Sequence, residues 1–298
     1  MTGLGSLIRR NCKLFFKDKG LFLSSLITPM ILLVLYGTFL ANVYKDSFSQ
    51  AIPKDFSIDA SIIDAMVGGQ LFSSLLAVCC VTIPFCCNFV MVGDKMTGAR
   101  RDLTMTPVKK STLALSYYIS TAISSLFICY IAVGACFIYM GNLGWYLSGK
   151  DVALLMVDVF ILVMFGTALS SVVNHFLSSQ GQITAVETII SAGYGFIAGA
   201  YMPISQFGDG VQKVVSFLPC TYGTSLIRNH TLRGVYEEMS DVGVPNMVLE
   251  EIKDSIDCNL YFMDNKVAIG TMYQIVIISV IVLIAVYIML SYFRKNNK

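Results

Sequence analysis

Charge is scarce in this sequence. Lys, Arg, Asp and Glu make up 13% of its 298 residues while 55% are hydrophobic, and mean hydropathy is +0.69. A soluble domain carries about 25% charged residues. That class is excluded, and an integral membrane protein is expected. Signatures of chemistry are also missing. No G-x-x-x-x-G-K-[ST] occurs, so this chain holds no P-loop for ATP. The stretch GNLGWYLSGKD has a Gly-Lys pair at the wrong spacing. No HExxH occurs, and His is present only as His175 and His230. No catalytic residue, metal or cofactor is expected in this chain, and no nucleic-acid partner. Residues 1–20 hold no apolar run of signal-peptide length, so the first span is expected to stay in the mature protein.

Cysteine is present nine times, mostly inside apolar runs, where it acts as a small hydrophobe. Cys79-Cys80 and Cys86-Cys87 repeat seven residues apart on one helix face. With no His or carboxylate near in sequence, packing is favoured over a thiolate metal site. Cys220 and Cys258 share the one long outer loop, and sequence leaves open whether they pair.

A span needs about 20 mostly apolar residues. Six segments qualify: Leu21–Val43, Gly69–Val92, Leu113–Met140, Val152–Val173, Ile183–Met202 and Val267–Leu290. Before the first, Leu4, Leu7, Ile8, Leu14 and Phe15 oppose Arg9, Arg10, Lys13 and Lys17, which suits an interfacial helix over residues 1–20. Between the second and third spans lies GDKMTGARRDLTMTPVKKS, residues 93–111, with five basic residues against Asp94 and Asp102. It reads as a short helix stopped by Pro107. Counting loops alternately, one side of the membrane holds 13 basic residues, Arg294, Lys295 and Lys298 among them, against 3 acids. The other side, Lys54 included, holds 8 against 14. Basic loops stay in the cytoplasm, so both termini and the 93–111 loop are expected there. The two His then fall on opposite sides, with His175 in a polar cytosolic loop at 174–182.

The last outer segment, residues 203–266, is too long for a turn. Val211, Val214, Val215 and Leu218 form one face of a helix expected to dip into the membrane, with Pro203 and Pro219 at its corners and an acidic cap after it. Asp158 and Glu187 are the only acids inside spans, and intramembrane acids are functional candidates by default. Hydrogen bonding between helices, or a wet interface, is the plain alternative for each. Gly195 and Gly199 form a GxxxG, which allows close helix approach.

Taken together, the basic amphipathic start, DKMTGARRDLTMTPVKKS, GYGFIAGAYMPISQFGDGVQKVVSFLPCTYGTSLIR and a last span with a short basic tail resemble the permease subunits of type-2 ABC exporters. That family usually has Glu where Asp94 stands, and more Leu where Thr104 and Met105 stand. The resemblance implies a single all-α membrane domain over residues 1–298, with six spans and re-entrant helices between the fifth and sixth. It implies a second permease copy or homologue, and two separate ATPase subunits that carry ATP and Mg. Asp94, Gly98, Arg100, Arg101, Thr106 and Pro107 would then couple to the ATPase. Pro203, Val214, Val215, Pro219, Tyr222 and Arg228 would close the outer side. An amphiphilic small molecule, peptide or lipid-linked substrate would leave the cell by alternating access, through a multi-pass protein of the plasma membrane. Two other readings stay open: a sensor or immunity protein binding a ligand through its outer loop, and an intramembrane enzyme using Asp158 and Glu187.

Overall fold

The computed structural model describes residues 3–36, 38, 41–42, 45, 59–263 and 265–293. The end of the first expected span at Val43, the outer residues Lys54 and Asp264, and the tail Arg294, Lys295 and Lys298 lie outside the described residues.

Helix α1 (Leu4–Lys17) buries Leu7, Asn11 and Phe15, one residue per turn, as an amphipathic helix lying on a bundle does. Asp18 ends it. Its backbone is extended, and its side chain accepts hydrogen bonds from the amides of Gly20 (3.0 Å) and Leu21 (3.1 Å), capping α2 (Lys19–Leu35). The two helices meet at 74°.

Helix α3 (Ala60–Cys87) is the centre of the bundle, buried along almost its whole length. Around it pack α2, α6 (Lys110–Leu143), α7 (Gly149–Phe176), α8 (Gln180–Ile197) and α10 (Pro219–Asp241). The backbones approach closely where α7 crosses α3. A Cβ on Gly166 would meet the carbonyl oxygen of Cys80 and lie 2.9 Å from the Cα of Val81, so only glycine fits there. After a break at Asn88 the apolar run continues as α4 (Phe89–Met96), followed by α5 (Ala99–Met105). Beyond α8 come a 3₁₀ turn at Ile204–Gln206 and α9 (Asp209–Val215), which lead into α10. Then follow α11 (Asn246–Ser255), a two-stranded antiparallel hairpin of β1 (Tyr261–Phe262) and β2 (Asn265–Lys266), and α12 (Ile269–Phe293).

Among the described residues four helical segments are long and apolar enough to cross a membrane: Ala60–Met96, Lys110–Leu143, Gly149–Phe176 and Ile269–Phe293. The bent α1–α2 pair makes a fifth if counted as one span. The predicted span Ile183–Met202 corresponds to α8, which is not among them. Gln180, Gln182, Thr184, Glu187, Thr188 and Ser191 dilute its apolar character, and it stops at Ile197.

Two expectations are corrected here, and the open question of Cys220 and Cys258 is answered. The GxxxG pair does not share a helix. Gly199 lies past the end of α8 with φ +68°, the left-handed conformation that terminates helices. The chain then turns back, so that the amides of Ala200 (2.8 Å) and Tyr201 (2.9 Å) bond the Gly195 carbonyl and the Tyr201 ring covers Gly195. His175 is not a loop residue: it is buried in the last turn of α7, because that helix runs on to Phe176. Cys220 and Cys258 do not pair, and both are free, buried thiols.

Candidate functional site

The 93–111 loop is an elbow of two short helices. Thr97 and Gly98 join α4 to α5, and Gly98, at φ +82°, makes the corner that a side chain would strain. Thr106 then turns extended, with its hydroxyl donating to the Leu103 carbonyl, and Pro107 prevents further helix. Arg101, Met105, Thr106 and Pro107 are exposed and Arg100 is half-buried. Met105 is 71% exposed, so the tip of the elbow is both basic and apolar.

Two grips hold the elbow. Asp94 is buried and accepts a bidentate pair from the Arg10 guanidinium, at 2.7 and 2.8 Å, plus the Tyr117 hydroxyl at 2.5 Å. Fork-to-fork Arg–carboxylate pairs are the directional ones, and the Asp94 carboxylate holds the Arg10 guanidinium above its ordinary pKa. Lys95 is the second grip. Its ammonium donates to the carbonyls of Asn174 (2.7 Å), His175 (2.8 Å) and Leu177 (2.8 Å) at the end of α7. A cation is favoured at a helix C-terminus, so the elbow is tied to α1 on one side and to α7 on the other.

At the opposite end, the segment after α8 folds over α10. Pro203 precedes the 3₁₀ turn and Pro219 is the first residue of α10, where a missing N–H costs nothing. Val215 is buried, whereas Val211 and Val214 are exposed, so the four aliphatic residues do not form one buried face within the chain. Tyr222 is buried and donates to the Ser216 carbonyl at 2.5 Å. Arg228 is fully buried. Its guanidinium donates to the carbonyls of Gly199 (2.8 Å) and Ile256 and lies 3.5 Å from the Asp257 carboxylate. Asp257 also accepts the amides of Ile204 (2.6 Å) and Ser205 (3.2 Å). Burial pushes its carboxyl up from the ordinary value, against the pull of Arg228 and those amides. The end of the acidic cap is thus stitched to the turn after α8 and to α10 together.

The two acids expected inside spans are placed differently. Asp158 on α7 is buried; its carboxylate lies 2.5 Å from Nδ1 of His230 on α10 and accepts the Tyr273 hydroxyl of α12. Glu187 on α8 is half-buried and accepts the Cys86 thiol of α3 at 2.5 Å.

The family model of the ABC-2 type transporter matches residues 2–231, more than three quarters of the chain. The chain belongs to the ABC-2 type transporter family. It is therefore a membrane component of an ABC transporter, a transport rather than a catalytic part. No curated protein matches the chain. The family match contains the elbow, Asp158, Glu187 and Arg228, and it ends inside α10. The cap, with Asp257, lies beyond it. Sequence reading had named Asp94 and Arg228 but neither partner. It missed Arg10, Lys95, Asp257 and Tyr273 as site residues. Arg10 and Lys95 carried a signal, as basic residues of the amphipathic start and of the 93–111 loop.

Proposed function

We propose that this ABC-2 type chain is the permease subunit of an ATP-driven exporter in the cell membrane. The elbow between α4 and α5 would receive the push of a separate ATPase. The observation that carries this reading is the double grip: an exposed basic and apolar tip, anchored by Asp94 to α1 and by Lys95 to the end of α7. A displacement at the tip reaches two helices through short charged contacts, without crossing a soft loop.

In this reading both termini are cytoplasmic and six segments cross the membrane, with α8 as the short fifth. Two ATPase subunits bind ATP and Mg, and a second permease copy or a homologue completes the route. The turn after α8, α9 and the start of α10 act as the outer gate, with Val211 and Val214 finding apolar surface in the membrane or the second permease. Asp94, Gly98, Arg100, Arg101, Thr106 and Pro107 form the coupling elbow. Pro203, Val214, Val215, Pro219, Tyr222 and Arg228 belong to the gate. Amphiphilic substrates suit the apolar, aromatic-rich bundle.

The test is the double variant Arg100→Glu with Arg101→Glu. It is expected to insert normally, lose co-purification with the ATPase and stop transport. A double variant that still co-purifies and transports at the normal rate removes the elbow from this role.

A further inference from the structure

The acidic cap helps to enclose a cavity that the permease reading leaves unused. It measures about 170 Å³ and is bounded by the turn after α8, by α9, by the first turn of α10, by the end of α11 and by β1. Its wall from Asp254 to Tyr261 lies beyond residue 231, where the family match stops. Ile204 and Leu260 are its apolar part, and hydroxyls, amides and two carboxylates make up the rest. Among the described residues no Lys, Arg or His lines it.

The side chains of this wall have donated their protons elsewhere. Each hydroxyl carries one proton, and those of Ser205, Ser216, Thr221 and Tyr222 go to backbone carbonyls. The Tyr261 hydroxyl donates to Asp254 at 3.1 Å. The two amides are fixed in orientation by their partners. Asn259 Nδ2 donates to two carboxylates, Glu250 (3.0 Å) and Asp254 (2.7 Å). Gln212 Nε2 donates to two carbonyls, Phe207 (2.7 Å) and Ser205 (3.2 Å). Both protons of each amide are therefore used. Their oxygens are not: among the described residues neither Asn259 Oδ1 nor Gln212 Oε1 accepts a hydrogen bond. Asn259 is only 9% exposed, and what its Oδ1 reaches is this cavity. Asp257 is answered by Arg228, whereas Asp254 forms no ion pair among the described residues. Residues 237–264 hold eight acids and one Lys, a field that concentrates cations.

We infer that this cavity binds a primary ammonium group. Such a group brings three N–H donors, which Asn259 Oδ1, Gln212 Oε1 and the Asp254 carboxylate accept. Ile204 and Leu260 take the first carbons of its alkyl chain. An anion finds no free proton on this wall. A drug-sized ligand needs about 300–1,000 Å³, so the cavity takes one amine end and little more. A metal ion is a poorer fit, because no group of three His, Cys, Asp or Glu placed to hold one occurs among the described residues. Occupancy ties α9 to the cap through Gln212 and Asn259. That this also holds the outer gate rests on the permease reading above. The binding itself does not.

Butylammonium and tetramethylammonium carry the same charge, but only the first has N–H donors. Titration calorimetry on the full chain in phosphatidylcholine nanodiscs tests the site, with empty nanodiscs subtracted. Butylammonium is expected to bind at least about tenfold more tightly than tetramethylammonium. Asp254→Asn and Gln212→Lys are each expected to weaken butylammonium binding at least about tenfold, the second by placing the chain's own ammonium in the cavity. Gln212 is half-buried on α9, and its variant keeps the test open if Asp254→Asn fails to fold. Glu251 is an exposed acid of the cap outside the cavity, and Glu251→Gln should leave binding unchanged. Equal affinity for the two cations, full binding in both cavity variants, or an equal loss in Glu251→Gln overturns the proposal. Phosphatidylethanolamine nanodiscs identify the source: weakened butylammonium binding assigns the group to a lipid headgroup, and unchanged binding to a free amine. Asp254-dependent binding that leaves export by the chain with its ATPase unaffected removes the gate role and leaves the site standing.

Discussion

Asp257→Ala isolates the contact that holds the cap to the rest of the bundle. In that variant the buried Arg228 guanidinium keeps the carbonyls of Gly199 and Ile256 but loses its carboxylate, while the Ile204 and Ser205 amides lose their acceptor. Stranding one member of a buried ion pair costs about 3–5 kcal/mol. At about 1.4 kcal/mol per factor of ten, the folded-to-unfolded ratio should fall by about two to three and a half powers of ten. Cys220 and Cys258 are buried reporters on either side of the contact. With the other seven cysteines replaced, a fluorogenic maleimide would follow their exposure during thermal unfolding in detergent. Asp257→Asn keeps an acceptor for the amides but not the charge, and should fall between the wild type and Asp257→Ala. A loss below about 1 kcal/mol for Asp257→Ala, the range of an exposed pair, would refute the reasoning.

Gly166→Ala drives a methyl group into the α3 backbone at Cys80 and Val81, and overpacking of this kind costs about 1–3 kcal/mol. Its melting temperature should drop; an unchanged one would mean the helices can part freely. Glu250 is held at a pKa of about 2 by its hydrogen bonds from Lys266 and Lys253. A depressed carboxylate pKa adds stability above the ordinary value of 4.5 that is lost as pH falls toward 2. The gain is small because Glu250 is exposed. Hydrogen-exchange protection factors across β1 and β2, corrected for the intrinsic rate at each pH, should fall over that window, and Glu250→Gln should flatten the change. For orientation, Glu250→Cys should label from outside intact cells and Lys109→Cys should not; outside labelling at position 109 would reverse the topology. Val214→Asp with Val215→Asp should abolish or leak export while ATPase docking survives, and normal export would move the gate elsewhere.

Run length and period carried much of the fold. Leu113–Met140 and Val152–Val173 fall inside α6 and α7 because apolar runs of that length are hard to place otherwise. Pro107 marked the end of α5 by chemistry alone. Long-range pairing was a different matter. Arg10 and Asp94 are 84 residues apart, and Asp257 looked like one more acid of an acidic cap. Helix α10 was hidden for another reason. It is buried continuously from Cys220 to Arg228, and its buried set includes Thr221, Thr224, Ser225, Arg228 and His230. Such a helix shows no hydrophobic stripe, because hydrogen bonds rather than apolar periodicity reconcile its residues with the interior. His230 therefore read as a loop residue, and its meeting with Asp158 and Tyr273 stayed invisible.

The 74° joint at Asp18 gives α1 the geometry of a lever. Arg10 is eight residues from that joint, which is about 12 Å of helix at 1.5 Å per residue. With the joint as pivot, a displacement of Asp94 by ~2 Å swings α1 through ~10° on an arm of that length. A clamp one turn nearer the joint would shorten the arm by about 5.4 Å and nearly double the swing. The position of Arg10 along α1 therefore sets a gear ratio between the elbow and the first helix.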